Sequence, residues 1–261
     1  MKIEDIKKID TKHMYETYDN WPEIARDASE QVFEKIDFDG IDHIVFAGMG
    51  GSGSIGDVIS AILSKKDIHV SNIKGYTLPK TVDSKSIVIA TSASGNTDEI
   101  LEILKNARKT SAKIIGFSSG GLLENYCKNK NILFEKIPTI HSPRASFTRF
   151  LYSILNVLEP IIPIQNQEIK ESISRLEETK KIISSENLTE KNIALELANF
   201  TRDVTTIYYP AGLGSVAVRY KNCLQENTKI HAMTEDVIEA CHNGIVSWEN
   251  KSIVKPVLIQ G

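Results

Sequence analysis

Apolar residues along this chain follow two periods. Between residues 11 and 35, Met14, Tyr18, Ile24, Ala28, Val32 and Phe33 recur at the spacing that lays one apolar stripe along a helix. After Phe38-Asp39-Gly40 the pattern changes to short, continuous apolar runs. Residues 44–47, 86–91, 113–118 and 132–135 read as strands buried on both faces, as in a parallel sheet, and His69-Val70 adds an extended segment. Helical patterns separate these runs at 54–64, 96–109 and 121–128, the second with Ile100, Leu101, Leu104 and Ala107 on one face. Strands alternating with helices at this spacing predict βαβ units and an α/β fold, a parallel sheet between two helical layers.

A further helix is predicted over 143–158, after which Pro160, Pro163 and a polar stretch mark a boundary. Residues 169–183 form a charged amphipathic helix, a spacer or subunit contact. From Asn192 the alternation resumes, with a helix to Phe200, a strand at 205–209 and the turn Pro210-Ala211-Gly212-Leu213-Gly214 into another helix. Two related α/β halves are therefore expected: residues 1–160 with the first sheet, and 161–261 with the linker helix and a second. Only 61 residues follow Phe200, whereas a doubly wound unit usually takes on the order of 100. The second sheet is expected to be shortened, closing after one strand near Val257.

Composition narrows the function classes. Of 261 residues, 31 are basic and 34 acidic, so no single-sign field points to nucleic acid or a membrane surface as partner. The opening MKIEDIKKID lacks the apolar core of a signal peptide. The most apolar window, residues 150–164, contains Asn156, Glu159 and two prolines, and is too short and too polar to span a bilayer. Three cysteines, Cys127, Cys223 and Cys241, have no metal-ligand spacing and read as reduced thiols of a cytoplasmic protein. No metal and no cofactor is expected.

The chemistry is concentrated where two strands end. GMGGSGSIGD, Gly48 to Asp57, and SASGNT, Ser92 to Thr97, each follow an apolar run and open a helix. Backbone N–H groups, hydroxyls and a helix N-terminus in that position suit an anion. Gly48, Gly50 and Gly53 satisfy G-x-G-x-x-G, so a dinucleotide site must be weighed. About twenty residues on, where a ribose-binding acid would lie, stands Val70-Ser71-Asn72, without a carboxylate. The second turn is rich in hydroxyls (Ser92, Ser94, Thr97), which a terminal phosphate needs and a pyrophosphate bridge does not.

GMGGSG-x-x-GD, S-x-SGNT-x-E, the FSSGG turn at Phe117–Gly121 and SPRASF at Ser142–Phe147 together resemble the sugar isomerase (SIS) domain. More narrowly, the chain resembles the bifunctional phosphoglucose/phosphomannose isomerases. The similarity continues through Arg219-Tyr220-Lys221-Asn222, Gln225 to Lys229 and Glu239 to Asn243. The resemblance implies two SIS domains in a homodimer and a hexose 6-phosphate substrate, with fructose 6-phosphate converted to glucose 6-phosphate and mannose 6-phosphate through a cis-enediol. It implies that Ser52, Ser92, Ser94 and Thr97 hold the phosphate while Gly50 and Gly51 let the backbone approach it. Arg144 would face the reacting C1–C2 end, Glu226 would move the proton, and His242 would open the ring from the partner subunit.

Those residue types suit the reaction. A partly buried carboxylate serves as base, a fixed cation stabilises an enediolate, and a histidine exchanges protons near neutral pH. Two departures stand out. Where the family reads His-Asn-Glu, this chain has His242-Asn243-Gly244, and the family's C-terminal element with its lysine has no counterpart before Gly261. They leave two alternatives, a sugar-phosphate-binding SIS protein acting as sensor or regulatory partner, and an SIS isomerase for another phosphosugar. His141 and His231 have no motif support and read as structural.

Overall fold

The short apolar runs are the strands. The computed structural model describes residues 1–261 and divides into two compact units, Lys2–Lys181, and Ile182–Gly261 together with Met1. In the first, β1 (His43–Gly48), β2 (His69–Ile73), β3 (Ser86–Ser92), β4 (Lys113–Ser118) and β5 (Leu133–Lys136) form an all-parallel sheet in the order β2-β1-β3-β4-β5. Every residue of β1 and β3 is buried, which is why these runs are continuous rather than alternating.

Three helices precede the sheet: α1 (Ile3–Ile9), α2 (Met14–Asp19) and α3 (Trp21–Ser29). The single stripe expected over 11–35 is thus broken. Pro22 lies in the first turn of α3, where its missing N–H costs nothing, and it starts a helix rather than continuing one. Beyond Ser29 the chain is a strap that lays Phe33, Ile36 and Phe38 on the core.

Helices cover both faces of the sheet. On one, α4 (Gly50–Leu63) and α7 (Phe147–Val157) bury Ile55, Ile59, Leu63, Phe150 and Ile154 against Ile44, Phe46, Ile87 and Ile89. On the other, α5 (Asp98–Ala107) and α6 (Gly121–Asn129) set Ile100, Ile103, Leu104 and Leu123 against Val45, Val88 and Ala90. The sequence pattern starts α4 four residues late, because Gly and Ser are poor helix formers and only packing reveals the first turn.

The helix α8 (Asn166–Ile183) differs from expectation. Its Ile173 packs with Ala25, Ala28 and Tyr152, Glu177 pairs with Arg26, and Lys180 lies 3.1 Å from Glu23. It belongs to the first unit up to Lys181, so the division falls after 181 rather than at 160.

The second unit holds α9 (Ile193–Phe200), β6 (Thr205–Tyr209), α10 (Gly214–Thr228), β7 (Ala232–Asp236), α11 (Val237–Ala240), a 3-10 turn at Gly244–Glu249 and β8 (Lys255–Leu258). Its three strands are parallel in the order β7-β6-β8, with α10 packed on Ile207 and Ala232 through Ala217 and Leu224. Two strands, not one, follow α10. No helix in the chain is long and apolar enough to cross a membrane.

At the amino edge of the first sheet, His43 and His69 are register partners with ring centroids 4.3 Å apart. Their Nε2 atoms lie 2.9 and 3.3 Å from the Ser71 hydroxyl, and Ser86 Oγ is 3.4 Å from His43 Nδ1. Burial first, and then the His69 charge, hold the His43 pKa below 6.5, against the Thr81 backbone bond, Asp42 and Asp83. The unfolded chain therefore takes up this proton more readily. The His43 contribution to stability is complete above pH 6.5 and is lost as the pH falls through the lowered folded value. Urea midpoints should decline below that pH, and His43→Gln should flatten the decline; equal slopes in both proteins contradict the assignment.

Candidate active site

Sheet order decides where a ligand sits. From β1 the chain runs outward to β2, and from β3 it runs the other way to β4, so the direction reverses between β1 and β3. The crevice outside the carboxyl ends at such a reversal is where open α/β sheets bind ligands. Both motif turns lie there.

In the first turn Gly50 takes φ +52°, a conformation that favours glycine, although a side chain there would meet nothing. Close approach governs Gly53 instead, where a Cβ would stand 2.6 Å from the Gly48 carbonyl oxygen. The amides of Gly50, Gly51 and Ser52 are left at the open N-terminus of α4, ahead of the first intrahelical bond, from Gly53 N–H to Met49.

In the second turn the Ser92 and Thr97 hydroxyls are 2.7 Å apart, and Ser92 Oγ also accepts the Gly95 N–H at 3.1 Å. Ser94 is exposed and accepts the Asn96 N–H at 3.3 Å. The Ala93 N–H donates to Ser52 Oγ at 3.4 Å and joins the two turns directly. Gly50, Gly51, Ser52, Ser92, Ser94 and Thr97 thus lie on two joined turns at the carboxyl ends of β1 and β3, with Ser92 buried, and bring together amides and hydroxyls of the kind that suit an anion.

A third turn supports the second. Ser119 and Thr139 both donate to the Ala93 carbonyl, at 2.7 and 3.4 Å. The Asn96 side chain accepts the Leu122 N–H and the Gly95 carbonyl accepts that of Leu123, so SGNT caps the helix after FSSGG. Gly95 has φ +71°, and a Cβ there would lie 1.8 Å from the Gly120 oxygen.

Arg144 is half-buried on a turn at 143–146 that precedes α7, instead of on the helix predicted from Pro143. The turn is held by the buried Ser146 hydroxyl, which accepts from Ile140 N–H at 2.8 Å and lies 2.9 and 2.8 Å from the Ile140 and Ser142 carbonyls. From the other side Trp21 Nε1 donates to the Ala145 carbonyl at 3.0 Å.

Glu226 and His242 lie in the second unit. Glu226 is exposed in the last turn of α10, where Lys229 folds back onto its carbonyl at 2.6 Å. His242 is exposed in the loop after α11, whose N-terminus is capped by Asp236. At Gly244, where the resemblance implies a carboxylate, an added Cβ would stand 3.0 Å from the Glu235 carboxylate.

Residues 38–147 match the model of the SIS domain, and 186–260 match that of the bacterial phospho-glucose isomerase C-terminal SIS domain. A bifunctional phosphoglucose/phosphomannose isomerase of Caldicellulosiruptor bescii is 32% identical over 91% of this chain and 72% of its own length. The chain belongs to the bifunctional phosphoglucose/phosphomannose isomerase family. It spans between 62% and 72% of the length of the relatives of that name. A D-glucosamine-6-phosphate 4-epimerase of Sulfolobus acidocaldarius is 29% identical over 91% of this chain and 74% of that protein. Among solved structures, glucosamine-6-phosphate deaminase of Thermotoga maritima superposes with a TM-score of 0.72 at 15% identity, over 94% of this chain and 75% of that one, a likeness of fold.

For this SIS-family chain, motif reading located the hydroxyls but missed the supports: Gly95, Asn96, Ser119, Thr139 and Ser146. Gly95 and Asn96 stand in SASGNT, Ser119 in FSSGG and Ser146 in SPRAS, but Thr139 lies outside every motif, and the partners of Asn96, Ser119 and Thr139 are distant in sequence. Gly95→Ala should lower stability by at least about 2 kcal/mol through strain and the clash with Gly120. Asn96→Ala should cost about 1 kcal/mol as a lost helix cap. Urea denaturation checks both, and a Gly95→Ala protein as stable as wild type refutes the packing argument.

Proposed function

We propose that this chain is a sugar-phosphate aldose–ketose isomerase that interconverts fructose 6-phosphate with glucose 6-phosphate and mannose 6-phosphate. The observation that carries the reading is the hydroxyl- and amide-lined crevice joined by the Ser52–Ala93 bond, in a chain of this family. Ser52, Ser92, Ser94 and Thr97 hold the phosphate, with the Gly50 and Gly51 amides beside them. Phosphate binding far from C1 and C2 positions the sugar for proton transfer.

His242 moves the protons that open the hexose ring. Glu226 then removes the proton from the carbon beside the carbonyl, leaving a cis-enediolate whose charge Arg144 stabilises. A hydroxyl proton passes between O1 and O2 of the enediolate, and the same carboxyl group returns its proton to the neighbouring carbon, so no net proton is consumed. Exposure of Glu226 and His242 in the single chain supports a homodimer in which His242 is contributed to the partner's site, because proton transfer from carbon gains when water is excluded.

Glu226→Gln should abolish turnover while phosphate binding survives; persisting turnover removes Glu226 as the base. Mixing Glu226→Gln with His242→Ala protein should restore about a quarter of the sites if the two groups come from different copies. No restoration after subunit exchange refutes the shared site.

The relative named as a 4-epimerase favours a second reading, in which the same phosphate anchor presents a different carbon to the base. Product analysis with fructose 6-phosphate and glucosamine 6-phosphate separates the two. Binding without any product would instead indicate a sensor.

A further inference from the structure

Each phosphate-type turn carries an acid that an anion site has no use for, Asp57 at the end of GMGGSGSIGD and Glu99 two residues after SASGNT. Both face one short segment, Lys74-Gly75-Tyr76, which follows β2. Ile73 is the register partner of Ala47, so Lys74 emerges at the carboxyl edge of the sheet, level with Gly48.

Lys74 Nζ lies 2.5 Å from Asp57 Oδ2, and its Cε would stand 3.3 Å from a Cβ on Gly53. Its side chain is 41% exposed. Tyr76 faces Glu99 in the first turn of α5, and the Glu99 charge, followed by burial and Asp98, raises the phenol pKa. One segment thereby pairs through Lys74 with the second turn of α4 and faces the first turn of α5 through Tyr76.

The position is electrostatically unusual. A cation beside a helix N-terminus opposes the helix dipole unless an anion accompanies it. Asp57 supplies that anion in the free protein. The crevice itself offers hydroxyls and amides without net charge, while a sugar phosphate brings a dianion.

We propose that Lys74 is a further substrate-binding residue, the cation of the phosphate site, held beside the first turn of α4 by Asp57 and turned toward the phosphate when substrate enters. The inference rests on the phosphate reading of the two turns.

Lys74→Met should raise together the KM for fructose 6-phosphate and the inhibition constant of inorganic phosphate, each by about fivefold, the size of one solvent-accessible ion contact. Lys74→Arg should restore both to within about twofold of wild type. Asp57→Asn removes the competing anion and should tighten phosphate binding. Changes below about twofold in Lys74→Met, or weaker phosphate binding in Asp57→Asn, overturn the proposal and leave the pair a structural brace. Should Lys74→Met fail to fold, as read from its thermal midpoint, Asp57→Asn decides alone. Ser92→Ala measured alongside tests the phosphate reading itself. If phosphate inhibition is unchanged in Ser92→Ala, that reading falls; if it weakens there but not in Lys74→Met, only the role of Lys74 falls.

Discussion

The carboxyl ends of β1 and β3 lie side by side, close enough for the Ala93 N–H of one turn to reach the Ser52 hydroxyl of the other. The candidate site depends on that adjacency. It follows from the sheet order, since only where the chain reverses direction do two strand–helix turns face one crevice without a crossover covering it. Gly50, Gly53 and Gly95 permit it, through a left-handed turn, close helix–strand packing and contact with the next turn. Burial on both faces of β1 and β3 keeps the two turns in register.

The polar groups around the two turns all take part in holding backbone or one another. Ser52, Ser92 and Ser94 accept the N–H groups of Ala93, Gly95 and Asn96, Thr97 pairs with Ser92, and Asn96, Ser119, Thr139 and Ser146 bond backbone groups of the adjoining turns. A residue that holds backbone in place is chemically indistinguishable in sequence from one that contacts a ligand. Only its partners separate the two roles, and Asp57 and Glu99 show the same with charge: each faces a side chain of the loop after β2.

The chain belongs to an isomerase family, yet the residues proposed for its chemistry are distributed over two units. The two motif turns and Arg144 lie in the first, and Glu226 and His242 in the second. Glu226 is exposed in the last turn of α10 and His242 is exposed in the loop after α11. Their roles in the proposed aldose–ketose exchange come from the resemblance and from the chemistry of that reaction; burial in the single chain does not supply them.

Much of the fold was legible in the residues. Continuous apolar runs are enforced by a sheet covered on both faces, so β1, β3 and β4 were readable nearly to their ends, and the motif turns were recognisable because glycine and serine there serve local backbone geometry. The turn before α7, the early start of α4 and the attachment of α8 to the first unit were not, because each depends on packing that local preference does not show: Trp21 on the Ala145 carbonyl, Phe46 against Gly56 in α4, and Ala25 and Ala28 for α8. By itself the sequence determined the strands, the helices and the kinds of group at each turn, since these follow from local periodicity and backbone preference. Which turns meet, which backbone groups their serines hold and which acids face Lys74 and Tyr76 were decided only by the tertiary structure, because parallel strand order brings together residues that no local interaction connects.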